Sequence, residues 1–453
     1  MTTIERPLLR ATRVIHSPLV DSRGERLGRV DDLIVRLADA GYPPVIGLKA
    51  SVGGRQLFVP VDRIGALAPG RVQLSRDTLD LERFERRPGE VLLDEDVLDR
   101  RLIDVAGGRL VHAHDIALGR IDGWWRLVGV DPTRRGRLAR LLPGGGGDPK
   151  RPSSVLDWSD VEPFVGHVPS ARLLLPLRRL RRLHPAQIAD IVEGASHDQG
   201  EEILTAVEQD PELEADVFEE LDTHHQREFL RDRPDEEAAA ILGEMAPDDA
   251  ADLITELDQE RRAPILDLLP AEQQRKVRGL LAHNPDTAGG LMSPDLVTVS
   301  VEATVADALE AVRTSSDDLP WQAASMAFLV DGDGRLLASV SVVDLLRTAA
   351  DRPLRDLVQD NVPPHLHVDE GVEQVALLMA DFNMTAAAVV DRTDRRVVGV
   401  VTADDLIEAL VPRQWRRRQS AGGWPDYASV GGDADIPGPC RSFFDAARIL
   451  SAD

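Results

Sequence analysis

A short pattern that recurs about every dozen residues between His184 and His283 constrains the fold of this chain more than any other feature. Each segment opens with a polar residue or a proline, continues with acidic residues and ends in Leu, Ile or Ala, as in Asp210-Pro-Glu-Leu-Glu and Ala246-Pro-Asp-Asp-Ala. Proline lacks the N–H that the first turn of a helix leaves unpaired, and carboxylates favour the positive helix end. The pattern predicts short helices. Because such helices cannot bury their apolar faces alone, we expect a stacked superhelical array over residues 184–283.

From Leu296 the pattern changes to strand, helix, strand, strand, helix, and this order occurs twice. Strand-length apolar runs, such as Ala327-Phe-Leu-Val and Ala386-Ala-Ala-Val-Val, alternate with amphipathic stretches. The second copy contains Val397-Val-Gly-Val-Val-Thr-Ala-Asp-Asp-Leu, which is typical of a cystathionine-β-synthase (CBS) repeat. We therefore predict two α/β CBS domains, over residues 290–350 and 354–412, that pack as a pair (a Bateman module).

The junction Asn284-Pro-Asp-Thr-Ala-Gly-Gly-Leu-Met-Ser-Pro joins the helical array to these repeats. Array, junction and repeats together resemble the cytosolic region of MgtE-type magnesium transporters. In that family these modules form a sensor that closes a membrane pore when magnesium is plentiful. A bilayer span needs about 20 mostly apolar residues, and the sequence has no such run. The resemblance therefore implies a sensor that does not itself transport ions.

The region before the array is predicted to be rich in β-strands and to contain an internal repeat. Val20-Asp-Ser-Arg-Gly-Glu-Arg-Leu-Gly-Arg-Val is echoed by Ile103-Asp-Val-Ala-Gly-Gly-Arg-Leu-Val-His-Ala, and in each copy a Gly-containing turn precedes a strand. This repeat resembles two PRC barrels, expected over residues 8–85 and 86–176, with a Gly-rich insertion after Pro143 in the second. The predicted fold class is multidomain α+β: a PRC-barrel-like region, an α-superhelical array and an α/β CBS pair. Residues 413–453 are predicted to be a disordered tail.

Composition narrows the classes of partner and compartment. A formal net charge of −25 repels phosphate backbones, so direct nucleic-acid binding is not expected. Cys440 is the only cysteine, which excludes an intrachain disulfide and a cysteine zinc site. The amino terminus lacks the apolar core of a secretory signal. We expect a cytoplasmic protein without a membrane span.

Carboxylates at two places favour a hard divalent cation. Asp248-Asp249-Ala-Ala-Asp252 opens one array helix, and Asp404 and Asp405 open the last CBS helix. Magnesium prefers oxygen ligands, retains waters and commonly uses one or two carboxylates. The resemblance to MgtE implies Asp249 and Asp252 as array-side ligands of Mg²⁺ and Asp404 and Asp405 as CBS-side ligands. Carboxylates in a first turn also stabilise a helix without any ligand.

Adenine nucleotides are the second class of ligand that the resemblance implies. In CBS pairs that bind them, a Ser/Thr and an Asp bracket the turn from strand to helix; here these are Ser341 with Asp344 and Thr402 with Asp405. The hydroxyl can hold phosphate and the carboxylate can take ribose hydroxyls, although helix capping explains the same residues.

The chain departs from the family pattern at several positions. Three residues stand where the second CBS copy usually carries carboxylates: Gly371, Gln374 and Asn383. Four others stand near positions where nucleotide-binding members offer aromatic or basic side chains: Ser325, Met326, Val343 and Met384. These departures predict fewer metal sites and weaker nucleotide binding than the family pattern.

No nucleophile–base pair or acid pair stands out, and His224-His225 is interpreted as a solvated helix start, so no enzyme activity is expected. The prediction is a magnesium-responsive regulator in which the cation closes the array on the CBS pair. We expect a homodimer through the CBS domains, with a membrane transporter or another protein as client. Two alternatives stay open: an adenine-nucleotide sensor and a PRC-barrel interaction scaffold.

Overall fold

A computed structural model of the chain describes residues 5–37, 41–76, 83–133, 155–164, 178–315, 319–358 and 363–411. These residues form two compact units: the first extends to Leu221 and the second begins at Asp222. The predicted tail over 413–453 and the Gly-rich insertion after Pro143 lie outside the described residues. The division between the units falls inside the predicted array, so its first three helices belong to the first unit and the next five to the second.

The amino-terminal part of the first unit is rich in sheet, as predicted. Its strands are β1 (Glu5–Arg10), β2 (Pro18–Val20), β3 (Arg26–Arg36), β4 (Val45–Val52), β5 (Arg55–Pro60), β6 (Ile64–Ala68), β7 (Arg71–Leu74), β8 (Glu90–Leu92), β9 (Arg101–Asp104), β10 (Arg109–His112), β11 (Asp115–Ile121), β12 (Trp124–Asp131), β13 (Leu156–Asp157) and β14 (Val161–Pro163). They form sheets of order β5-β4-β3-β2-β7-β6 with β8 on β3, β1-β11-β12-β13, and β10-β9-β14. Membership of the PRC family stays a prediction.

The two sequence copies exchange their first strands. β1, which precedes the first copy, pairs with β11 of the second, and β8, which precedes the second, pairs with β3 of the first. An aspartate fixes each exchanged strand: Asp32 accepts the backbone N–H groups of Asp94 and Glu95 after β8, and Asp115 accepts the N–H and hydroxyl of Thr12 after β1. Strands therefore cross the boundary predicted between residues 85 and 86 in both directions, and the copies fold together.

One apolar core runs through both copies. Leu33, Leu48 and Val72 of the first copy belong to the same buried cluster as Ile116 and Leu127 of the second. Alternation along the strands directs these side chains inward. Neither copy encloses its apolar side chains by itself, so the shared core, like the exchanged strands, indicates that the two copies fold together.

The array consists of short helices, as predicted. In the first unit these are α1 (Pro185–Gly194), α2 (His197–Val207) and α3 (Pro211–Glu220); in the second they are α4 (Thr223–Arg231), α5 (Asp235–Glu244), α6 (Pro247–Glu256), α7 (Gln259–Leu268) and α8 (Ala271–Leu280). Alternate helices pack together: α1 on α3, α4 on α6, α5 on α7 and α6 on α8. Within each unit, these pairs bury apolar side chains between helices that are two apart along the chain.

Two strand–helix repeats follow, which confirms the predicted CBS architecture. The elements are α9 (Ala288–Leu291), β15 (Thr298–Ser300), α10 (Val305–Arg313), α11 (Trp321–Ala324), β16 (Met326–Val330), β17 (Leu336–Ser341), α12 (Val342–Arg347), β18 (Leu366–His367), α13 (Val372–Asp381), β19 (Ala386–Val390), β20 (Val397–Thr402) and α14 (Ala403–Leu410). In each repeat the first strand pairs in parallel with the second, and the second pairs antiparallel with the third. A single core contains Phe328 and Leu336 of the first repeat and Val390 and Val400 of the second.

The junction between array and CBS pair is held on the second repeat. The N–H groups of Ala288 and Gly289 donate to the carbonyls of Glu370 and Val368 at 2.7 and 2.9 Å, and Ser293 exchanges two backbone hydrogen bonds with Val400 at 2.9 Å. A Cβ at Gly290 would lie 2.4 Å from the carbonyl oxygen of Asn284, so the close turn requires glycine there. The junction therefore holds α9, which follows the array, beside β18 and β20.

Candidate metal centre

The array side of the candidate centre is the first turn and a half of α6. Helix α6 buries Ala250, Ala251 and Ile254, while Pro247 occupies its first position. Asp248 and Asp252 are one turn apart, on the stripe that adjoins Ala251. Asp249 is 100° around the helix axis from Asp248 and 60° from Asp252, and it is partly buried like Asp248.

The CBS side is the start of α14, where a capping box fixes Asp405. The N–H of Asp405 donates to the Thr402 hydroxyl at 3.3 Å, and the N–H of Thr402 donates to Asp405 Oδ2 at 2.8 Å. Thr402 is buried at the end of β20, so the turn cannot move independently of the sheet. Asp404 and Glu408 are exposed on the same helix.

Asp248 has the least favourable environment for a negative charge in this centre. Burial raises its pKa to about 7, and the carboxylates of Asp405, Asp252 and Asp295 add to the shift. Its Oδ1 is buried without a hydrogen-bond partner among the described residues. A carboxylate oxygen in that position is an acceptor with nothing to accept from, which is costly unless a proton or a cation is bound.

Asp252 and Asp405 share this environment to a smaller degree. Burial raises the pKa of Asp252 to about 6, with Glu408, Glu256 and Asp286 contributing. Burial also raises the pKa of Asp405 to about 6, against the hydrogen bonds from Thr402 and with the help of Asp404 and Glu408. The charge of Asp405 raises the pKa of Asp248, and the charge of Glu408 raises the pKa of Asp252. Carboxylates of α14 and α6 therefore repel each other across the array–CBS boundary within the second unit.

The donor set fits magnesium. All the groups are carboxylate oxygens, which Mg²⁺ prefers, and Mg²⁺ usually keeps several waters while binding one or two carboxylates directly. These carboxylates are not among the groups of three whose ligand atoms lie within 4.8 Å of one another in the described residues. A hydrated ion suits this wider spacing better than a dehydrated ion, because water-mediated contacts reach further.

One tighter group does occur, at the start of α4. Ligand atoms of Asp222, His224 and His225 lie within 4.8 Å of one another. Asp222 accepts the N–H of His225 at 3.0 Å, and the ring Nδ1 of His225 also lies 3.0 Å away. Burial alone would raise the pKa of Asp222, but these hydrogen bonds lower it. The arrangement is that of a helix cap, in agreement with the sequence interpretation of His224-His225.

Both candidate nucleotide pairs act as helix caps. Ser341 donates its hydroxyl to Asp344 at 2.7 Å and accepts the N–H of Asp344 at 3.1 Å. Thr402 and Asp405 form the equivalent cap on α14. The first pair is exposed, whereas Asp405 of the second belongs to the acidic centre, where a phosphate would be repelled.

Comparison with known proteins agrees with this architecture. Residues 183–286 match the MgtE intracellular N domain, and residues 288–351 and 354–412 match the CBS domain. Residues 183–412 are homologous to the cytosolic region of MgtE. The chain is 30% identical over 235 residues to the magnesium transporter MgtE of Thermus thermophilus, covering 51% of each chain, and 24% identical over 237 residues to that of Bacillus subtilis, covering 52% of this chain and 49% of that protein. It thus spans about half the length of the curated relatives it matches.

Two solved structures are similar to this chain over about half of its length. A crystal structure of the cytosolic domain of the Mg²⁺ channel MgtE in complex with ATP is 29% identical, with a TM-score of 0.48, covering 52% of this chain and 95% of that one. The soluble part of a magnesium transporter is 26% identical, with a TM-score of 0.47, covering 51% of this chain and 89% of that one. Within the described residues of this chain, no helix is both long and apolar enough to cross a bilayer.

The residues that the MgtE resemblance implies as metal ligands stay a prediction, and the structure places them as follows. Asp252 and Asp405 lie in the acidic centre, and Asp404 lies at its exposed edge. Asp249 is not among the charges that contribute most to the pKa of Asp248, Asp252 or Asp405. The sequence prediction does not include Asp248 as a ligand. Its i, i+4 spacing to Asp252 is a signal that the sequence offers, but the i, i+3 spacing of Asp249 satisfies the same rule.

Proposed function

We propose that this chain is a magnesium-responsive regulatory protein in which Asp248 and Asp252 of the array and Asp405 of the CBS pair hold one hydrated Mg²⁺ between them. The observation that carries the proposal is the buried Oδ1 of Asp248, which has no hydrogen-bond partner among the described residues and is surrounded by further carboxylates. A site of this kind is unfavourable for the protein alone and favourable for a divalent cation.

Charge repulsion provides the coupling between cation and conformation. When α6 approaches α14, Asp248 and Asp252 come close to Asp405 and Glu408, and partial exclusion of water strengthens their repulsion. A bound divalent cation supplies the positive charge that offsets this repulsion. The closed arrangement of array and CBS pair would therefore be populated when magnesium is abundant and opened when it is scarce.

Each residue has a distinct part in this proposal. Asp248 would bind the cation directly through its buried oxygen, and Asp252, one turn later, would bind it directly or through water. Asp405 would be presented at a fixed angle, because Thr402 holds one of its two oxygens. Asp404 and Glu408, both exposed, would attract cations without holding them.

The proposed protein is a cytoplasmic regulator without enzymatic or transport activity of its own. Two observations support this role: the matched families are regulatory and transport-associated domains, and the described residues include no helix suited to a bilayer. A membrane transporter or another protein would then be the client that reads the closed and open states.

Isothermal titration calorimetry tests the site. The wild-type chain is titrated with MgCl₂ at constant ionic strength and compared with Asp248→Asn, Asp252→Asn and Asp249→Asn. Glu237→Gln is the matched control, since Glu237 is an exposed carboxylate on α5, outside the acidic centre. Each carboxylate variant removes one charge with little change of shape.

We expect Asp248→Asn to weaken magnesium binding most, by about tenfold or more, which corresponds to at least ~1.4 kcal/mol. Asp252→Asn should weaken it less. Asp249→Asn should change it by less than about twofold, because Asp249 is not among the main charges that act on the centre, and Glu237→Gln should also change it by less than about twofold, the effect of one exposed charge. If Asp249→Asn weakens binding and Asp248→Asn does not, the array-side ligand is the one implied by the family resemblance. If no variant differs from wild type, the proposed site is excluded.

An adenine nucleotide is the second candidate ligand, and its place would be the first CBS repeat. The Ser341–Asp344 pair is exposed, whereas Asp405 of its counterpart Thr402–Asp405 is part of the acidic centre. Equilibrium dialysis with ATP, ADP and AMP, repeated on Asp344→Ala, tests this function. Nucleotide binding that is independent of magnesium and is lost in Asp344→Ala would favour a nucleotide sensor.

We also propose a homodimer through the CBS pair. Helices α12, α13 and α14 carry exposed large apolar side chains in both repeats: Val343, Leu346, Leu377, Phe382, Ile407 and Leu410. A second copy of the pair would cover them with a surface of the same kind. Light scattering coupled to size exclusion should report a dimer that Leu346→Glu and Ile407→Glu together convert to a monomer. A wild-type monomer at micromolar concentration would contradict the proposal.

A further inference from the structure

A lysine lies at the edge of the acidic centre, on the last helix of the array. Lys276 of α8 donates to both carboxylate oxygens of Asp295, at 2.8 and 3.0 Å, and lies 3.4 Å from Glu272 one turn earlier. Asp295 is one of the residues whose charge acts on Asp248. The ammonium group of Lys276 is thus a positive charge that the chain itself contributes beside the proposed cation site.

The ion pair joins the two modules across the junction. Asp295 is anchored on the CBS side, because its N–H donates to the hydroxyl of Ser293 at 3.3 Å and Ser293 is bonded through its backbone to Val400 of β20. Lys276, in contrast, belongs to α8, which ends at Leu280 before the junction turn. Any movement of the array away from the CBS pair that displaces α8 must break this contact.

We propose that Lys276 is a tethered cation that keeps the array partly closed on the CBS pair without metal. Lys276 thereby determines how much further closure Mg²⁺ can cause. This inference rests on the proposed function, since it concerns the same closure. Both side chains are about a quarter to a third exposed, at 26% and 32%, so the pair is accessible to solvent yet not fully hydrated. At 2.8 Å, the contact has the length of a charge-assisted hydrogen bond, which is stronger than a neutral one.

The experiment measures the distance between array and CBS pair in the full-length chain by double electron–electron resonance. Spin labels are placed at Glu237→Cys on α5 and Glu373→Cys on α13, two exposed positions, with Cys440 replaced by serine. The labelled chain is compared in EDTA and in saturating MgCl₂ for wild type, Lys276→Met, Lys276→Arg and Arg278→Met. Arg278 is the matched control, because it lies on the same helix and pairs at 2.6 Å with Asp267 of α7, within the array.

In EDTA we expect Lys276→Met to shift the population toward longer distances, and Mg²⁺ to restore the wild-type distance, so that the magnesium-dependent change is at least twice that of wild type. Lys276→Arg and Arg278→Met should behave as wild type. Adding Asp295→Asn to Lys276→Met should recover part of the short-distance population, since the unpaired charge is then gone.

Two outcomes separate this inference from the proposed function. If Lys276→Met has the wild-type distances in EDTA, or if Arg278→Met shifts them equally, Lys276 is not a specific tether and the inference is overturned. If Lys276→Met opens the chain in EDTA but Mg²⁺ does not close it, Lys276 still forms a contact that holds the modules together. Metal-driven closure is then excluded, and so is the role of Lys276 in setting the magnesium response.

Discussion

Asp32 in the first unit and Asp248 in the second are both buried carboxyls with a pKa raised to about 7, yet their surroundings differ in kind. Asp32 accepts the N–H groups of Leu33, Asp94 and Glu95 at 2.7, 2.8 and 3.1 Å, so both of its oxygens have donors. Asp248 has an oxygen with no partner among the described residues and is surrounded by Asp252, Asp295 and Asp405.

The comparison separates two uses of a buried carboxylate. Asp32 pairs with backbone donors of the turn that follows β8, and it thereby fixes the exchanged strand. Asp248 faces other carboxylates, which do not donate when they are ionised, and we propose that a cation balances its charge. An elevated pKa therefore does not identify a functional site by itself. The supply of donors decides whether the residue has a structural or a ligand-binding role.

Replacing each aspartate by asparagine gives the largest expected contrast. Asp32→Asn turns an amide N–H₂ toward at least one backbone donor, and we expect it to destabilise the first unit by ~2 kcal/mol. Asp248→Asn relieves repulsion, and in EDTA at pH 8 it should stabilise the second unit by ~1 kcal/mol. Amide hydrogen exchange of peptides covering residues 90–97 and 246–256 measures the stability of both units in each variant. Destabilisation in both cases would make Asp248 a structural residue like Asp32.

Magnesium should distinguish the two units as well. At a concentration of 100 times its dissociation constant, a ligand that binds only the folded state adds about 2.7 kcal/mol to the unfolding free energy. We expect this gain in the second unit, with no change in the first, and we expect Asp248→Asn to remove most of it. Differential scanning calorimetry in EDTA and in MgCl₂ tests this, with Asp32→Asn identifying the transition of the first unit. A shift of both transitions would indicate a general ionic effect.

The dependence of stability on pH follows from the direction of the pKa shifts. Because the pKa values of Asp248, Asp252 and Asp405 are raised to about 7, 6 and 6, the folded state binds more protons than the unfolded state between about pH 4 and 7. The free energy of unfolding therefore falls as pH rises through this window and levels off above pH 7. The fall is at most ~1.4 kcal/mol per pH unit for Asp248 and for Asp405, and it is smaller for the exposed Asp252, whose charge is screened by solvent.

Asp32 has the same sign of shift, so without metal both units should lose stability as pH rises from about 4 to 7. Saturating Mg²⁺ should flatten or reverse the fall in the second unit only, because the cation competes with protons for the ionised carboxylates. Urea unfolding at pH 5, 6, 7 and 8, with and without Mg²⁺, measures the slopes. A magnesium-independent slope in the second unit would show that its protons are not displaced by metal.

Much of the fold follows from local patterns, and the limits of the sequence reading have physical causes. Pro247 with its acidic turn predicts the start of α6, and the Thr402-Ala-Asp-Asp405 sequence predicts the cap of α14; both depend on residues within one helical turn. The exchange of β1 and β8 was not predicted. Those strands pair with residues far away in the chain, and a repeat in the sequence does not reveal which copy a strand joins.

The metal ligands predicted from the sequence and those proposed from the structure differ by one residue on the array side. Asp249 and Asp252 are three residues apart and Asp248 and Asp252 are four apart, so both pairs satisfy the helical spacing rule. The buried Oδ1 of Asp248, which has no hydrogen-bond partner among the described residues, is what distinguishes Asp248, and this requires knowing the neighbours of the helix. Lys276 carries no local signal at all, because its partner Asp295 lies beyond the junction.

The two equivalent caps of the CBS repeats give the smallest expected effects and the finest test of the comparison between structural and ligand-binding carboxylates. Ser341→Ala and Thr402→Ala should each destabilise the second unit by ~1 kcal/mol, since each removes one helix cap.

Thr402→Ala should also weaken magnesium binding by a few fold in calorimetric titration. The Thr402 hydroxyl accepts the N–H of Asp405 and helps to hold the start of α14 against the acidic centre, and the substitution removes this hydroxyl. Ser341→Ala serves as its control, because Asp344 lies outside that centre. If the two substitutions affect magnesium binding equally, the position of Asp405 does not matter for the cation, and Asp405 acts as a cap alone, in the same structural way that Asp32 acts in the first unit.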